Sequence, residues 1–219
     1  VVNYLLPLQL GECSNNGIIC REGICYLKVG RTYTNPIISD KSVPDPTVVR
    51  ANDGHFYLYA TQTSTYWMPI YRSKDLVNWE YQKTAFTQAT KPSLSGGGAF
   101  WAPEMQYING KYVLYFSWAK MNGADVSYTA VAVSDSPLGP FPNSKALITN
   151  EEFGSNAIDQ FYYEENGKKY MFFGSFKGIY VTELTDDGLS VKRDAKGKPV
   201  LKKQICGNLF EGTNIYKKN

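Results

Sequence analysis

Four acidic residues recur at nearly constant spacing along this 219-residue sequence, and each precedes a segment rich in aromatic and apolar residues. They are Asp45, Glu104, Asp159 and Glu211, separated by steps of 59, 55 and 52 residues. An ionised carboxylate among apolar residues is costly unless it has polar partners. One such acid alone is most simply a turn former or a cap, whereas four at the repeat period predict carboxyls that share a polar pocket. Such a pocket is suited to general acid–base chemistry.

The segments around these acids predict an internal repeat of about 55 residues. In the first three units the acid leads into a strand, a turn and a second strand, and the turns read NDGH, INGK and ENGK. Asn-Gly and Asp-Gly between such runs indicate hairpins, because the central turn residues need a positive φ. A third strand and a closing segment follow, so each unit is predicted to be a three- or four-stranded antiparallel meander. No stretch predicts a substantial helix.

Radial repetition of such meanders predicts an all-β fold, a β-propeller. The first strand of each blade lines the axis of a propeller, so acids ahead of successive first strands converge at one end of the channel. A sandwich or jelly roll does not explain an acid at the head of each unit. Blades are expected to start near residues 45, 104, 159 and 211, which gives three blades and the start of a fourth. We expect the native chain to continue past residue 219, because ending within a hairpin leaves an unpaired strand edge.

Composition and charge restrict the class of partner. The sequence is 43% hydrophobic and 20% charged, as in ordinary globular proteins, and its 15% aromatic content suits both a β-rich fold and a carbohydrate-facing surface. The net charge is +3 without a basic stripe, which argues against nucleic acid as a partner. No apolar run of about 18 residues predicts a membrane span. Nothing in the sequence indicates an oligomeric state.

Cysteine and histidine usage bears on location and on metals. Cys13, Cys20 and Cys25 lie close together and Cys206 lies far along the chain. This spacing is compatible with a small disulfide loop in an oxidising compartment, with the pairing left open, and it does not match a zinc motif. His55 is the only histidine and falls in a predicted hairpin turn, where we expect a surface residue. No cofactor or metal site is predicted within the sequence.

Over residues 34–219 the sequence resembles glycoside hydrolase family 43, whose fold is a five-bladed β-propeller. The motifs that carry the resemblance are PDP, WAPE, NAID, GSF and EG, in the order and at the blade spacing of that family. The resemblance implies an inverting glycoside hydrolase that acts on an oligo- or polysaccharide. Residues 1–33 lie outside it and form an N-terminal segment without an assigned role.

The resemblance also implies a role for each acid. Asp45 is similar to the family's general base, Glu211 to its general acid, and Asp159 to the third acid, which modulates the pKa of the general acid. Inversion requires acid and base to lie roughly 6.5–9.5 Å apart, which leaves room for water. The sequence departs from the family at Gln160 and Thr213, where the family usually has Pro. An axial metal ion, bound through a His outside these 219 residues, is compatible with the resemblance.

A second set of residues is expected to contact substrate. Phe100 and Trp101 are candidate stacking platforms, with packing in a blade core as the alternative. Asn156 and Ser175 are candidates for hydrogen bonds to sugar hydroxyls, with turn capping as the alternative. Glu104 is expected to be a structural or subsite residue, because the family does not make it a catalyst. The remaining tryptophans are expected to pack between blades: Trp67, Trp79 and Trp118.

The segment GSFKGI after the third acid is most similar to the arabinan-cleaving branch of the family. We therefore expect cleavage of α-L-arabinofuranosyl linkages in plant cell-wall arabinan, with an endo-1,5-arabinanase as one form and the choice between endo and exo action left open. The alternatives are a β-xylosidase or arabinoxylan arabinofuranosidase of the same family, a non-catalytic carbohydrate-binding propeller, and a protein–protein scaffold. The Asp, Asp and Glu at the three matching positions favour catalysis. A plant-wall substrate implies a secreted, periplasmic or cell-surface protein.

Overall fold

The computed structural model describes residues 33–39, 41–95, 98–120 and 126–218 with their side chains, and residues 18–21 and 24–27 by their backbone. Its strands form three four-stranded antiparallel sheets, each built from consecutive strands, and one two-stranded sheet. The predicted all-β class is confirmed. Each four-stranded sheet is one blade of a propeller, and we number the blades 1 to 3 in chain order.

The strands follow one another along the chain as meanders. The two-stranded sheet pairs β1 (Ile18–Arg21) with β2 (Ile24–Leu27). Blade 1 contains β3 (Thr47–Arg50), β4 (Phe56–Tyr59), β5 (Pro69–Ser73) and β6 (Trp79–Thr84). Blade 2 contains β7 (Ala99–Ile108), β8 (Lys111–Ala119), β9 (Ser127–Ser134) and β10 (Lys145–Thr149). Blade 3 contains β11 (Phe161–Glu165), β12 (Lys168–Phe173), β13 (Ile179–Glu183) and β14 (Lys202–Cys206).

Helix is confined to one turn in the described residues. The helix α1 (Asn150–Phe153) begins after Thr149, whose side chain accepts a hydrogen bond from the Glu152 N–H, and ends at Gly154 with a left-handed backbone. No described helix has the length and apolar character needed to cross a membrane.

The first hairpin of each blade turns where the sequence predicts. In blades 2 and 3 the turns Asn109-Gly110 and Asn166-Gly167 have a positive φ at both residues, as a two-residue hairpin turn requires. Blade 1 has a longer loop in which only Gly54 has a positive φ, and the Ala51 N–H donates to the carbonyl of His55.

The blades pack through strands that are buried on both faces. In β8 every residue after Lys111 is buried. Alternate side chains of a strand point to opposite faces, so Leu114 and Phe116 pack in the apolar cluster shared with blade 1, and Val113 and Tyr115 in the cluster shared with blade 3. Trp118 is buried in the first of these clusters and Trp67 packs against it, whereas Trp79 packs on a smaller cluster of blade 1.

The structural repeat is set by backbone conformation. Asp45, Ala102 and Asp159 have φ values of 48°, 41° and 55°, and they lie 57 residues apart in both steps. Asp45 and Asp159 each precede the first strand of their blade by two residues. In blade 2 the equivalent residue is therefore Ala102. Glu104, expected at the head of blade 2, lies two residues after Ala102 and within β7, which begins at Ala99.

The N-terminal segment is described only in part. Cys20 on β1 lies opposite Cys25 on β2 in the backbone register of the two strands. Cys13 lies outside the described residues, and Cys206 on β14 is exposed and carries a free thiol.

Candidate active site

Two of the predicted acids lie in turns with an unusual backbone. A positive φ costs a residue other than glycine roughly 1–2 kcal/mol, although Asp tolerates it better than most. Strained conformations of this kind concentrate at functional sites. Asp45 and Asp159 both adopt it two residues before a first strand, which places them at the same end of blades 1 and 3.

Asp45 is held by a hydroxyl from its own blade. The Thr61 hydroxyl donates to Asp45 Oδ2 at 2.6 Å, and Thr61 Oγ1 accepts the N–H of Ala102 at 2.7 Å. The Thr61 N–H donates to the carbonyl of Pro44 at 3.0 Å. Thr61 therefore fixes the Asp45 carboxyl and links its turn to the equivalent turn of blade 2.

The Asp159 carboxyl interacts electrostatically with both of the other acids, Glu211 and Asp45. Its N–H donates to Ser117 Oγ at 3.0 Å. Burial and, after it, the charges of Glu211 and Asp45 raise the pKa of the Asp159 carboxyl to about 6, against the opposing effect of the Gly212 N–H, which donates to this carboxyl. A neighbouring carboxylate disfavours a second negative charge. The three predicted acids are thus brought together into one coupled group.

Glu211 is positioned by the segment that joins β12 to β13. The Ser175 hydroxyl donates to Glu211 Oε2 at 2.9 Å, and the Phe176 N–H donates to the carbonyl of Phe210 at 3.0 Å. Asn156 Nδ2 in turn donates to the carbonyl of Ser175 at 2.6 Å. These contacts hold the Glu211 carboxyl against blade 3.

The predicted substrate residues occupy different surroundings. Phe100 is 1% exposed and stacks on Phe86 with ring centroids 4.6 Å apart, so it packs in a blade core, the alternative stated for it. Trp101 is half-buried on β7. Asn156 donates to the carbonyl of Ser175, and the Ser175 hydroxyl donates to Glu211. Both side chains therefore hydrogen-bond within the protein, next to the acid.

Glu104 is separate from the three coupled acids. It is 8% exposed, and its carboxylate accepts hydrogen bonds from the Thr47 hydroxyl at 3.3 Å, from Gln106 Nε2 at 2.6 Å and from the N–H of Tyr162. Burial raises its pKa to about 7, and these three donors oppose the rise. Glu104 therefore joins the first strands of all three blades as a structural residue.

Sequence reasoning missed two residues of this site, Thr61 and Ser117. Together with Ser175 they lie within two residues of the end of the second strand of each blade, 56 and 58 residues apart. Each contacts the acid turn of the next blade: Thr61 binds the N–H of Ala102, Ser117 that of Asp159, and Ser175 the Glu211 carboxyl. A hydroxyl residue after each aromatic strand, in YATQ, YFSW and FGSF, is the signal that marks them.

Metal ligands do not assemble in the described part of the chain. Among those residues no group of three or more His, Cys, Asp or Glu side chains is placed to hold a metal ion. His55 lies in the first hairpin turn, where its Nδ1 is 3.4 Å from Asp53 Oδ2. The axial metal ion that is compatible with the resemblance would be bound through a residue outside these 219, and it stays a prediction.

Comparison with known proteins agrees with the fold. The model of the glycosyl hydrolases family 43 matches residues 33–219. The extracellular endo-α-(1→5)-L-arabinanase 1 of Bacillus subtilis is 30% identical over 67% of this chain, which spans 47% of that relative. A putative β-xylosidase of Escherichia coli is 29% identical over 63% of this chain and 25% of its own length.

A solved structure shares the fold. The α-L-arabinanase of Cellvibrio cellulosa, solved with arabinohexaose, superposes with a TM-score of 0.57 and 28% identity over 69% of this chain and 51% of that protein. The chain thus spans about half the length of the arabinanases it matches. The match of the family model over most of the sequence shows that this chain belongs to the glycosyl hydrolases family 43.

Proposed function

We propose that the protein is an inverting glycoside hydrolase that cleaves α-L-arabinofuranosyl linkages of arabinan. The observation that carries this proposal is the coupling of the Asp159 carboxyl to both Asp45 and Glu211. Glycoside hydrolysis with inversion needs a carboxylate base and a carboxylic acid on opposite sides of the scissile bond. Three carboxyls converging from turns at one end of the blades supply both groups and a third that influences them.

Asp45 is the proposed general base. Its carboxylate is oriented by the Thr61 hydroxyl, so that it can accept a proton from the water that attacks the anomeric carbon. Glu211 is the proposed general acid, which gives its proton to the departing glycosidic oxygen. Asp159 is the proposed modulator: when ionised it disfavours a second negative charge on Glu211, which keeps a proton available to the pair.

Two comparisons support arabinan as the substrate: one relative is an endo-arabinanase and one matching structure was solved with arabinohexaose. The E. coli relative named a putative β-xylosidase makes β-xylosides the second candidate. The Bacillus relative is extracellular, and we propose the same location for this protein.

The test is product chromatography after the protein that contains this chain is incubated with debranched arabinan, with Glu211→Gln as the control. Arabinose or arabino-oligosaccharides that disappear in the variant support the proposal, and the ladder of oligomers distinguishes endo from exo cleavage. A folded protein that releases nothing from arabinan but cleaves a β-xyloside replaces the first substrate by the second. Retained configuration in the first-formed product contradicts the inverting mechanism.

A further inference from the structure

A buried amide next to the coupled acids takes no part in the proposed chemistry. Gln160 directly follows Asp159 and is 5% exposed. Its Oε1 accepts a hydrogen bond from the Ser117 hydroxyl at 3.0 Å, and its Nε2 donates to the carbonyl of Ala102. Both partners belong to blade 2, so this side chain ties the acid turn of blade 3 to the neighbouring blade.

The direction of each hydrogen bond is determined by the partners. The carbonyl of Ala102 can only accept, so the amide nitrogen of Gln160 faces it and the amide oxygen faces Ser117. Ser117 Oγ accepts the N–H of Asp159 at 3.0 Å and donates its own proton to Gln160. Ser117 is fully buried. The chain of hydrogen bonds therefore runs without a gap from the backbone of Asp159 to that of Ala102.

The equivalent turns of the other two blades are restrained differently. In blades 1 and 2 the residue with positive φ is followed by Pro46 and by Pro103. A proline ring fixes its own φ and so removes freedom from the turn. Blade 3 has Gln160 at this position. The backbone of Gln160 is freer than that of a proline. The side-chain hydrogen bonds of Gln160 supply the restraint that the proline rings supply in blades 1 and 2.

We propose that Gln160 is a positioning residue, which holds the Asp159 turn against blade 2 and thereby places the Asp159 carboxyl between Asp45 and Glu211. The proposal rests on the proposed function in so far as it assigns Asp159 a part in catalysis. Because the Gly212 N–H donates to the Asp159 carboxyl, a displaced Asp159 also loosens the turn that carries Glu211.

The test compares two variants of the link with a matched control. Gln160→Leu keeps the approximate shape and removes both side-chain hydrogen bonds, and Ser117→Ala removes the hydroxyl that joins the two residues. The control is Gln62→Leu. Gln62 Oε1 accepts the N–H of Phe100 at 2.9 Å. Gln62 therefore links two neighbouring blades, as Gln160 does, but these are blades 1 and 2 and the bond does not involve the Asp159 turn. Thermal unfolding shows which variants fold.

In the active protein Gln160→Leu is expected to lower kcat about tenfold or more with KM within about twofold, because small displacements of a catalytic group are costly. Ser117→Ala should lower kcat similarly, and the double variant should add little, since both act through one network. Gln160→Pro, which restores the restraint used in blades 1 and 2, should stay within about threefold of the unchanged protein. An unchanged kcat in a folded Gln160→Leu variant, or an equal loss in Gln62→Leu, overturns the proposal.

A second readout needs no activity and separates this inference from the proposed function. The Asp159 carboxyl of the present chain can be titrated by carbon-13 NMR, with Asp159→Asn to assign its signal. A carboxyl released from the pocket is hydrated and farther from Glu211 and Asp45. Gln160→Leu should therefore lower the Asp159 midpoint by at least about half a pH unit, and Gln62→Leu should not. An inactive protein that shows this shift rejects the proposed function and supports the positioning role. No shift in Gln160→Leu rejects the positioning role.

Discussion

The turns that open blades 2 and 3 have the same backbone but carry their acids in different places. In blade 3 the residue with positive φ is Asp159, and its carboxyl interacts with the charges of Glu211 and Asp45. In blade 2 that residue is Ala102, and Glu104 follows two positions later inside β7. A difference of two positions along the chain therefore distinguishes Asp159, whose carboxyl interacts with the other acids, from Glu104, whose carboxyl is buried between first strands.

The electrostatics of the two carboxyls differ in the same way. Burial is the largest cause of the raised pKa in both Asp159 and Glu104. The remaining influences on Glu104 are three hydrogen-bond donors, which stabilise its charge, whereas Asp159 also faces the like charges of Glu211 and Asp45. A raised pKa therefore does not by itself mark a catalytic group. The like-charged neighbours of Asp159 distinguish the two positions.

The largest expected difference between the two carboxyls is in activity. Asp159→Asn should lower kcat by roughly 10²–10⁴-fold, because it removes a carboxyl on which proton transfer depends. Glu104→Gln should change kcat less than about threefold, because its neighbours are strands and not the other acids. Steady-state kinetics of both variants on arabinan measure the contrast. Equal losses in the two variants would show that both carboxyls serve the site.

A smaller difference is expected in the pH dependence of stability. The pKa of Glu104 rises from 4.5 to about 7 on folding, so between these values the native state binds more protons than the unfolded state. The free energy of unfolding should therefore fall as pH rises through this window. The corresponding window for Asp159 lies between 3.8 and about 6. Each variant should remove the fall within its own window.

Chemical denaturation of the present chain at pH 4.5 and pH 8 measures this effect. One pKa unit corresponds to about 1.36 kcal/mol, so for a rise from 4.5 to about 7 Glu104→Gln should raise the free energy of unfolding at pH 8 by an amount on the order of 3 kcal/mol and leave it nearly unchanged at pH 4.5. The Gln106 amide can rotate to offer its oxygen to the new amide, so no donor is left facing a donor. An undiminished fall between pH 5 and pH 7 in this variant would contradict the assignment of that window to Glu104.

Much of the fold could be predicted from the sequence because hairpins are local. The Asn109-Gly110 and Asn166-Gly167 turns and the aromatic strands beside them determine meanders through nearby residues. The alternation of buried side chains in β8 likewise follows from strand geometry. The spacing of the acids makes Glu104 the blade 2 equivalent of Asp45, whereas the backbone shows that this equivalent is Ala102. The positive φ of Ala102 identifies this equivalence, and an alanine does not predict a positive φ.

The sequence predicts the acids of the candidate site but not the residues that support them. The spacing of acids ahead of apolar strands singles out Asp45, Glu104, Asp159 and Glu211, and the resemblance to the family excludes Glu104 from catalysis. Thr61 and Ser117 act through contacts to the next blade, about 40 residues further along the chain. A hydroxyl residue near the end of each aromatic strand marks these positions, but nothing local identifies the backbone group that the hydroxyl contacts. Its function depends on how the blades are packed against each other.

The smallest effect concerns the backbone that the two turns share. Ala102 has a φ of 41°, and it lacks the short polar side chain that eases this conformation for Asp159. Ala102→Gly removes the strain of roughly 1–2 kcal/mol but adds about 0.4–1 kcal/mol of entropy to the unfolded chain. The variant should therefore be more stable by about 0.5 kcal/mol in chemical denaturation. Ala99→Gly in the same strand, where φ is not positive, should be less stable by a similar amount. If both substitutions destabilise, the left-handed turn of blade 2 is not strained, and the equivalence with Asp159 would rest on its spacing alone.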